Sequence, residues 1–229
     1  MRSLVGLTEP GAGSVFPRAL RIMIAIIDYD IGNLRSVQKA IERVGGDGQL
    51  ITTPAELARA EKVILPGVAA FGDAIEELRS LGLVEALRKA VGEGMPYLGF
   101  CLGLQLLFDV SYENGEHTGL GILPGEIVRF DFAAVPAGGE RLSVPHMGWN
   151  QIAVRQPCPM LEGVPDGSYV YFAHSYHVVP TDPAMTATVT DYGGPFVSSV
   201  WRENVFATQF HPEKSQSVGL RLLENFVKQ

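Results

Sequence analysis

The sequence predicts a three-layer α/β domain with a mixed central sheet and a nucleophile elbow. In its first half, short continuous apolar runs alternate with amphipathic segments, an order typical of parallel strands covered by helices on both faces. After about residue 120, short β-rich runs follow one another, separated by turn residues. A Gly-x-Cys-x-Gly segment stands where one predicted strand ends and a helix begins.

The first half is predicted to hold four buried strands and the helices between them. Leu34, Val37 and Ile41 recur at helical spacing, and glycines follow them. Thr53, Pro54 and Glu56 predict a helix start with a capping box. The strands are expected at 22–28, 49–52, 63–65 and 97–100, and the longer helices at 34–44, 74–80, 83–91 and 102–110.

The second half is predicted to be mainly β-structure closed by one helix. Its strands are expected at 122–130, 151–155, 168–172, 175–179, 186–190, 196–201 and 205–210, and the helix at 218–227. Residues 1–20 show neither a strand nor a helix period. We therefore expect 1–20 to be a flexible amino-terminal extension. A single domain is then expected over 21–229.

Composition excludes several classes of protein. The 229 residues are 46% hydrophobic and 19% charged, which fits a globular chain. The 18 Lys and Arg against 25 Asp and Glu leave a net charge of −7, which disfavours nucleic-acid binding. Two cysteines are too few for a disulfide scaffold. Without a spanning apolar segment or a signal peptide, we expect a cytoplasmic protein that does not enter membranes.

Cys101, between Gly99 and Gly103, is the candidate nucleophile. In a nucleophile elbow the reactive residue sits on a strained turn, and flanking glycines let strand and helix pack closely. The turn raises the thiol above the carboxyl edge of the sheet, near a helix amino terminus that favours thiolate. The alternative is a buried structural cysteine in a glycine-rich turn.

His211 and Glu213 are the candidate base and orienting acid. They follow a predicted strand two residues apart, and in an extended chain such residues point to the same side. Pro212 disfavours helix at His211, so Glu213 is expected beside the imidazole. With Cys101 these residues would form a catalytic triad. Alone, the segment is better explained as a surface turn with an incidental histidine.

An oxyanion site is expected beside the nucleophile. Thioester chemistry needs hydrogen-bond donors for the developing negative oxygen. The amide of Leu102 is one candidate, and the turn at Gly67 and Val68, after the third strand, would supply another. Without the elbow, this turn would be an ordinary strand-to-helix connection.

These motifs together resemble class I glutamine amidotransferases over essentially all of 23–229. The Gly-Phe-Cys-Leu-Gly and His-Pro-Glu motifs are typical of the whole family. Further segments resemble the glutaminase subunits of imidazole glycerol phosphate synthases, most specifically Pro-His-Met-Gly-Trp-Asn at 145–150. Ala69 departs from the pattern, because these proteins usually have glycine there.

The resemblance implies roles by position. Cys101, His211 and Glu213 match the catalytic triad, and Gly67, Val68 and Leu102 match the oxyanion site. Residues that match glutamine contacts are Gln105 and Glu113, together with the backbone of His174, Ser175 and Tyr176. Residues that match the partner interface are Trp149, Tyr176 and Lys214.

The resemblance also implies an activity and a partner. Glutamine would be hydrolysed to glutamate and ammonia, and ammonia would pass to a (β/α)8-barrel cyclase subunit in a heterodimer, without cofactor or metal. The histidines at 174 and 177 do not suggest a metal, because residues three apart on a strand face opposite sides. The alternatives are a glutaminase subunit of another synthase, a stand-alone γ-glutamyl peptidase, and a non-catalytic relative that only binds. Trp149 could also be a core aromatic in a Gly-Trp-Asn turn.

Overall fold

The computed structural model describes residues 22–132 and 142–229. The predicted extension at 1–20 lies outside these ranges, so the extension and its boundary with the domain stay predictions.

An eight-stranded mixed sheet forms the centre of the molecule, in the order β2-β1-β3-β4-β14-β13-β12-β9. Its first five strands are parallel, and the last three join in antiparallel fashion. The parallel strands are β1 (Met23–Ile27), β2 (Asp47–Ile51), β3 (Lys62–Leu65), β4 (Tyr97–Phe100) and β14 (Val205–Thr208). The antiparallel edge consists of β13 (Pro195–Arg202), β12 (Thr186–Asp191) and β9 (Ala153–Val154).

Two smaller sheets complete the β-rich half. A two-stranded ribbon pairs β8 (His146–Gln151) with β10 (Tyr169–His174). A four-stranded sheet has the order β11-β7-β5-β6. Its strands are β11 (Tyr176–Pro180), β7 (Gly125–Arg129), β5 (Val110–Ser111) and β6 (His117–Thr118).

Helices cover both faces of the central sheet. Ile24 and Ile26 pack in one core cluster with residues of α1 (Leu34–Arg43) and α6 (Gln216–Lys228). Ala25 and Ile27 belong to the other cluster, because successive strand residues point to opposite faces. The helices of that second face are α2 (Pro54–Leu57), α3 (Phe71–Ser80) and α4 (Leu83–Gly92), with the short α5 (Leu102–Gln105). The predicted three-layer fold with a mixed sheet is confirmed.

The predicted capping box at the start of α2 is present. The Glu56 amide donates to the Thr53 hydroxyl at 3.3 Å, and the Glu56 carboxylate accepts from the Thr53 amide at 3.1 Å. Pro54 occupies the first turn, where its missing N–H costs nothing. This helix start follows from local side-chain chemistry, so the sequence alone predicts it.

The helix predicted at 102–110 is wrong in length, because α5 ends at Gln105. The carbonyl of Leu106 accepts from the amide of Leu120 at 2.8 Å, and the carbonyl of Leu107 accepts from Ile122 at 2.9 Å. These carbonyls therefore bond a returning chain segment instead of the next helical turn. Val110, predicted as helical, begins strand β5.

The turn predicted around Trp149 is also wrong, because 146–151 form strand β8. Gly148, with φ of 129°, interrupts the alternation by which a strand is recognised. Trp149 is 46% exposed, so it is not a core aromatic. Strands β5 and β6 have two residues each, too few to show a period.

Candidate active site

The candidate site lies at the carboxyl edge of three neighbouring parallel strands. Leu65 of β3 pairs with Gly99 of β4, and Phe100 of β4 pairs with Thr208 of β14. The segments that follow these strands therefore start side by side. They are the predicted oxyanion turn, the elbow and the segment that carries His211. Open α/β sheets build their sites at this edge.

Cys101 has the strained backbone that an elbow requires, with φ of 51° and ψ of −102°. Both flanking glycines are needed for packing. A Cβ on Gly99 would lie 2.6 Å from the Gly103 carbonyl oxygen, and one on Gly103 would lie 1.7 Å from that of Leu65. The side chain is nearly buried, and Sγ contacts the Ala173 carbonyl at 3.8 Å. The predicted steric role of the two glycines is confirmed.

His211 and Glu213 form a buried pair, with Nδ1 and Oε1 2.9 Å apart. His211 is extended as predicted, but Glu213 lies in a short 3-10 turn at Pro212–Lys214. The expected extended geometry is therefore wrong at Glu213, and the turn brings the carboxylate to the imidazole instead. Within the described residues, His211 Nε2 has no hydrogen-bond partner, which leaves that nitrogen available.

The charged form of His211 is stabilised. Burial lowers the pKa of its imidazole, but the neighbouring Cys101 sulfur and the Glu213 carboxylate raise it more strongly, to about 10. A negative sulfur beside a protonated imidazole is the form in which cysteine is a strong nucleophile.

The turn after β3 lies against the elbow. A Cβ on Gly67 would be 2.2 Å from the Tyr29 hydroxyl and 3.0 Å from Leu102 Cβ. The buried Tyr29 hydroxyl donates to the Pro66 carbonyl at 2.6 Å and so holds this turn. Burial, and then the negative charge of Cys101, raise the pKa of Tyr29, which keeps it a donor. Sequence reasoning gave Tyr29 no role, although its place directly after a buried strand is a usable signal.

Val68 and Leu102, the predicted oxyanion donors, both line the cavity that contains Cys101. Leu102 is the first residue of α5, so its N–H has no acceptor within that helix. Val68 is 53% exposed and lines the cavity above Cys101. Ala69, which replaces the usual glycine, is not among the described non-glycine residues with positive φ. Its Cβ therefore meets no left-handed strain.

A cavity of about 410 Å³ opens above the nucleophile. All five residues predicted to contact glutamine line it: Gln105, Glu113, His174, Ser175 and Tyr176. Glu113 Oε2 accepts from the Phe71 amide at 2.8 Å, at the start of α3. That bond fixes the carboxylate at the cavity wall, where it can attract a positively charged group.

Gln105 and Gln209 form a buried amide pair beside the nucleophile. Gln105 Nε2 lies 3.2 Å from Gln209 Oε1, and Gln209 Nε2 donates to Cys101 Sγ at 3.6 Å. Sequence reasoning missed Gln209. The register of β4 with β14 could have indicated it, because the residue after Thr208 must lie next to Cys101.

Three histidines, His146, His174 and His177, lie in an aromatic cluster, and His174 also lines the cavity. Burial lowers the pKa of His146 to about 4 and that of His174 to about 3, and it also lowers the pKa of His177. Phe130 packs against all three rings. Within 22–132 and 142–229, no group of three ligating side chains could hold a metal ion.

The predicted interface residues lie around the mouth of the cavity. Lys214 Nζ lies 5.6 Å from the Tyr171 ring centroid, and Trp149 packs edge-on against the same ring at 6.0 Å. Tyr176 lines the cavity itself. Met147 and Tyr169 are strongly exposed on the same ribbon, at 64% and 56%. This exposed face of β8 and β10 is called the ribbon face below.

Comparisons with known proteins show the family to which the chain belongs. The family profile described as "Glutamine amidotransferase class-I" matches residues 25–229. The imidazole glycerol phosphate synthase subunit HisH of Syntrophotalea carbinolica is 54% identical over 204 residues, which cover 89% of this chain and 98% of that protein. The protein of the same name from Aquifex aeolicus is 52% identical, covering 88% of this chain and 94% of its own length.

Solved structures show the same fold at much lower identity. The structure titled PurLQS from Thermotoga maritima has a TM-score of 0.71 at 19% identity, covering 91% of this chain and 99% of that one. A structure titled glutamine amidotransferase has a TM-score of 0.68 at 20% identity, covering 90% and 99%. In the described part of this chain, no helix has the length and apolar character to span a membrane.

Proposed function

Because the chain belongs to the class-I glutamine amidotransferase family, we propose that it is the glutaminase subunit of an imidazole glycerol phosphate synthase. It hydrolyses glutamine to glutamate and ammonia, and it hands the ammonia to a cyclase subunit. One observation carries this proposal most strongly: the paired ends of β4 and β14 set Cys101 beside the buried His211–Glu213 pair.

Acylation begins with the Cys101 thiolate, which attacks the side-chain amide carbon of glutamine. The carbonyl oxygen becomes an oxyanion, and the amides of Val68 and Leu102 donate to it. Protonated His211 then gives its Nε2 proton to the departing nitrogen. Ammonia leaves, and the acyl group remains on sulfur as a thioester.

Deacylation reverses the role of the imidazole. Neutral His211 takes a proton from water, and the resulting hydroxide attacks the thioester carbon. Glutamate leaves, and the sulfur returns to its starting form. Glu213 holds Nδ1 throughout, so that Nε2 always faces the reacting atoms.

The cavity wall selects glutamine by charge and by hydrogen bonding. Glu113 attracts the α-ammonium group, because one of its oxygens is fixed by the Phe71 amide and the other is left for substrate. Gln105 and the segment at 174–176 supply polar contacts along the substrate. These assignments rest on the side chains that line the cavity and on their matching positions in the family.

The ribbon face is the proposed docking surface for the cyclase. Met147, Trp149 and Tyr169 expose apolar area beside the cavity mouth, which is typical of a protein interface. Lys214 directly follows Glu213, so a partner contact there reaches the catalytic segment. The partner is a (β/α)8-barrel cyclase that forms a heterodimer with this chain. It uses the ammonia to make imidazole glycerol phosphate and AICAR in the cytoplasm.

The test is a glutaminase assay of the purified chain, alone and with a barrel cyclase and its nucleotide substrate. We expect little ammonia from the chain alone, strong stimulation in the complex, and cyclase product when glutamine is the nitrogen source. High activity without any partner would favour a stand-alone peptidase. Stimulation by the partner subunit of a different synthase would move the assignment to that enzyme.

A further inference from the structure

A continuous chain of polar groups leads from strand β8 to the Cys101 sulfur. The side chains of His146, His174, Gln105 and Gln209 are all buried, between 0% and 5% exposed. The side chains of His146, His174 and Gln209 have no part in the reaction proposed above. Buried polar groups need partners, and here these groups hydrogen-bond one another or share the Tyr176 carbonyl as acceptor.

The chain starts at Asn150, whose amide has one possible orientation. Nδ2 donates to the Asp191 carbonyl at 2.9 Å, and Oδ1 accepts from the Gln151 amide at 2.8 Å. Nδ2 also lies 3.3 Å from His146 Nε2. An NH₂ group can only donate, so Nε2 accepts, and neutral His146 carries its proton on Nδ1.

The proton positions then follow along the histidine pair. His146 Nδ1 donates to His174 Nε2 at 3.0 Å. Neutral His174 must therefore carry its own proton on Nδ1, which lies 2.9 Å from the Tyr176 carbonyl. A carbonyl can only accept. The Asn150 amide at one end and the Tyr176 carbonyl at the other thus both require the proton to be on Nδ1 in each histidine.

The Tyr176 carbonyl also fixes the amide pair at the nucleophile. Gln105 Nε2 donates to this carbonyl at 3.0 Å, which determines the orientation of the Gln105 amide. The same nitrogen lies 3.2 Å from Gln209 Oε1, which must accept. Gln209 Nε2 is consequently left to donate to Cys101 Sγ at 3.6 Å.

We propose that Gln209 is a further catalytic residue, as a donor to the Cys101 sulfur, and that His146 and His174 are positioning residues, because they hold the Tyr176 carbonyl to which Gln105, the partner of Gln209, donates. An N–H donor stabilises a negative sulfur more than a neutral thiol, so it favours the nucleophilic form of the cysteine. The proposal deepens the glutaminase assignment. It rests on that assignment only where it implies that Gln209 affects the turnover of glutamine.

The sulfur is tested directly by alkylation with iodoacetamide, in which the thiolate displaces iodide. The Cys101 and Cys158 peptides are separated by mass, and the rate at Cys101 is followed against pH. Gln209→Met removes the donor and keeps the side-chain length. We expect the alkylation rate at Cys101 to fall about tenfold at neutral pH, because a hydrogen bond to the charged sulfur is lost. Gln209→Glu places a carboxylate beside the sulfur and should slow alkylation further.

Unchanged alkylation profiles in folded Gln209→Met and Gln209→Glu would overturn the role of Gln209. The histidine part is tested with His146→Phe, which keeps an aromatic ring between Phe172 and Tyr192. We expect it to slow alkylation of Cys101. In a double variant with Gln209→Met, His146→Phe should slow alkylation little further, because the donor that the histidines help to position is already absent.

His177→Phe is the matched control. His177 lies in the same aromatic cluster, 4.9 Å from the Phe130 centroid, but its Nδ1 faces the Val178 carbonyl, outside the chain of polar groups. The alkylation rate of Cys101 in this variant should stay within about twofold of wild type, the ordinary range for a substitution without special partners. Two results would overturn the positioning role of the histidines. One is an equal slowing of Cys101 alkylation by His177→Phe and His146→Phe. The other is a double variant, His146→Phe with Gln209→Met, in which the two reductions in rate multiply. If His146→Phe does not fold, Asn150→Ala replaces it.

Alkylation needs neither glutamine nor a partner, so the two proposals fail separately. Slower alkylation of Cys101 in Gln209→Met, together with no glutaminase activity in any complex, would reject only the proposed function. Normal partner-dependent glutaminase activity, together with unchanged alkylation of Cys101, would reject only the role of Gln209.

Discussion

The backbone amide of Cys101 donates to the carbonyl of Thr208 at 2.7 Å. This bond continues the pairing of β4 with β14 past the end of β4. It joins the strained turn that carries the thiol to the segment that carries Gln209 and His211. The proposed nucleophile and base are thus held by one stretch of sheet, so substitutions in this stretch have effects that can be predicted.

Replacing Cys101 by alanine should abolish glutamine-dependent synthesis by the complex and leave ammonia-dependent synthesis intact. In the proposed mechanism, the thiol serves only to release ammonia from glutamine. Product formation with each nitrogen source is the measurement. Cys158→Ala is the control, because Cys158 is buried elsewhere and burial raises the pKa of its thiol to about 11. Near-normal turnover of glutamine by Cys101→Ala would reject the triad.

Glu213→Gln should lower kcat by about 10²–10⁴, because the neutral amide no longer stabilises the imidazolium. It should also change the pH dependence of stability. The pKa of His211 is raised from 6.5 to about 10, so its contribution is complete below pH 6.5 and is lost as pH rises toward 10. Urea unfolding at several alkaline pH values should show this loss in wild type and less of it in Glu213→Gln. Glu224→Gln, at a surface ion pair, is the control.

Gly103→Ala should prevent normal folding or destabilise the protein by about 3 kcal/mol or more, because the new Cβ would overlap a backbone carbonyl. Gly92→Ala is the matched control. A Cβ there meets nothing within 4 Å, and the position is helical without positive φ. It should raise stability by about 0.5–1 kcal/mol. Thermal unfolding of both variants is the measurement, and equal melting temperatures would contradict the elbow packing.

Trp149→Ala should reduce partner stimulation of glutaminase activity by about tenfold or more, as expected for an aromatic anchor of an interface. Its exposure means that the melting temperature should change little. Trp201→Ala is the control, because Trp201 packs against the core and its indole donates to the Glu203 carbonyl. That variant should lose stability and keep the stimulation. The reverse result would remove Trp149 from the docking surface.

The histidine cluster should make the fold sensitive to acid. The pKa values of His146 and His174 are lowered from 6.5 to about 4 and about 3, so both rings are neutral in the folded protein. Unfolding lets them bind protons, so stability is complete above pH 6.5 and falls as pH drops toward these values. Each ring contributes a slope of about 1.4 kcal/mol per pH unit. His146→Phe should flatten the curve from urea unfolding at pH 4–7, and an unchanged slope would contradict this reading.

The sequence predicts best what is determined locally. Buried apolar runs correctly predicted β1 and β4, and Thr53 with Glu56 correctly predicted the start of α2. The glycines around Cys101 indicated the elbow, because close packing there leaves no room for a Cβ. In each case a few adjacent residues contain the whole physical reason.

What could not be predicted depends on residues distant in the chain. The early end of α5 follows from amides of 120 and 122 that take the carbonyls of Leu106 and Leu107. Gln209 reaches Cys101 only through the register of β4 with β14. The pairing of His146 with His174 likewise depends on the β8–β10 ribbon. Strand β8 could not be predicted, because Gly148 interrupts its alternation of apolar and polar residues.

The positive φ of Cys101 sets function against stability. A left-handed backbone at a residue with a Cβ costs about 1–3 kcal/mol, more than the roughly 0.5–1 kcal/mol of entropy that glycine loses on folding. Glycine would therefore be the more stable residue at position 101. Cys101→Gly should therefore stabilise the fold while it removes the thiol.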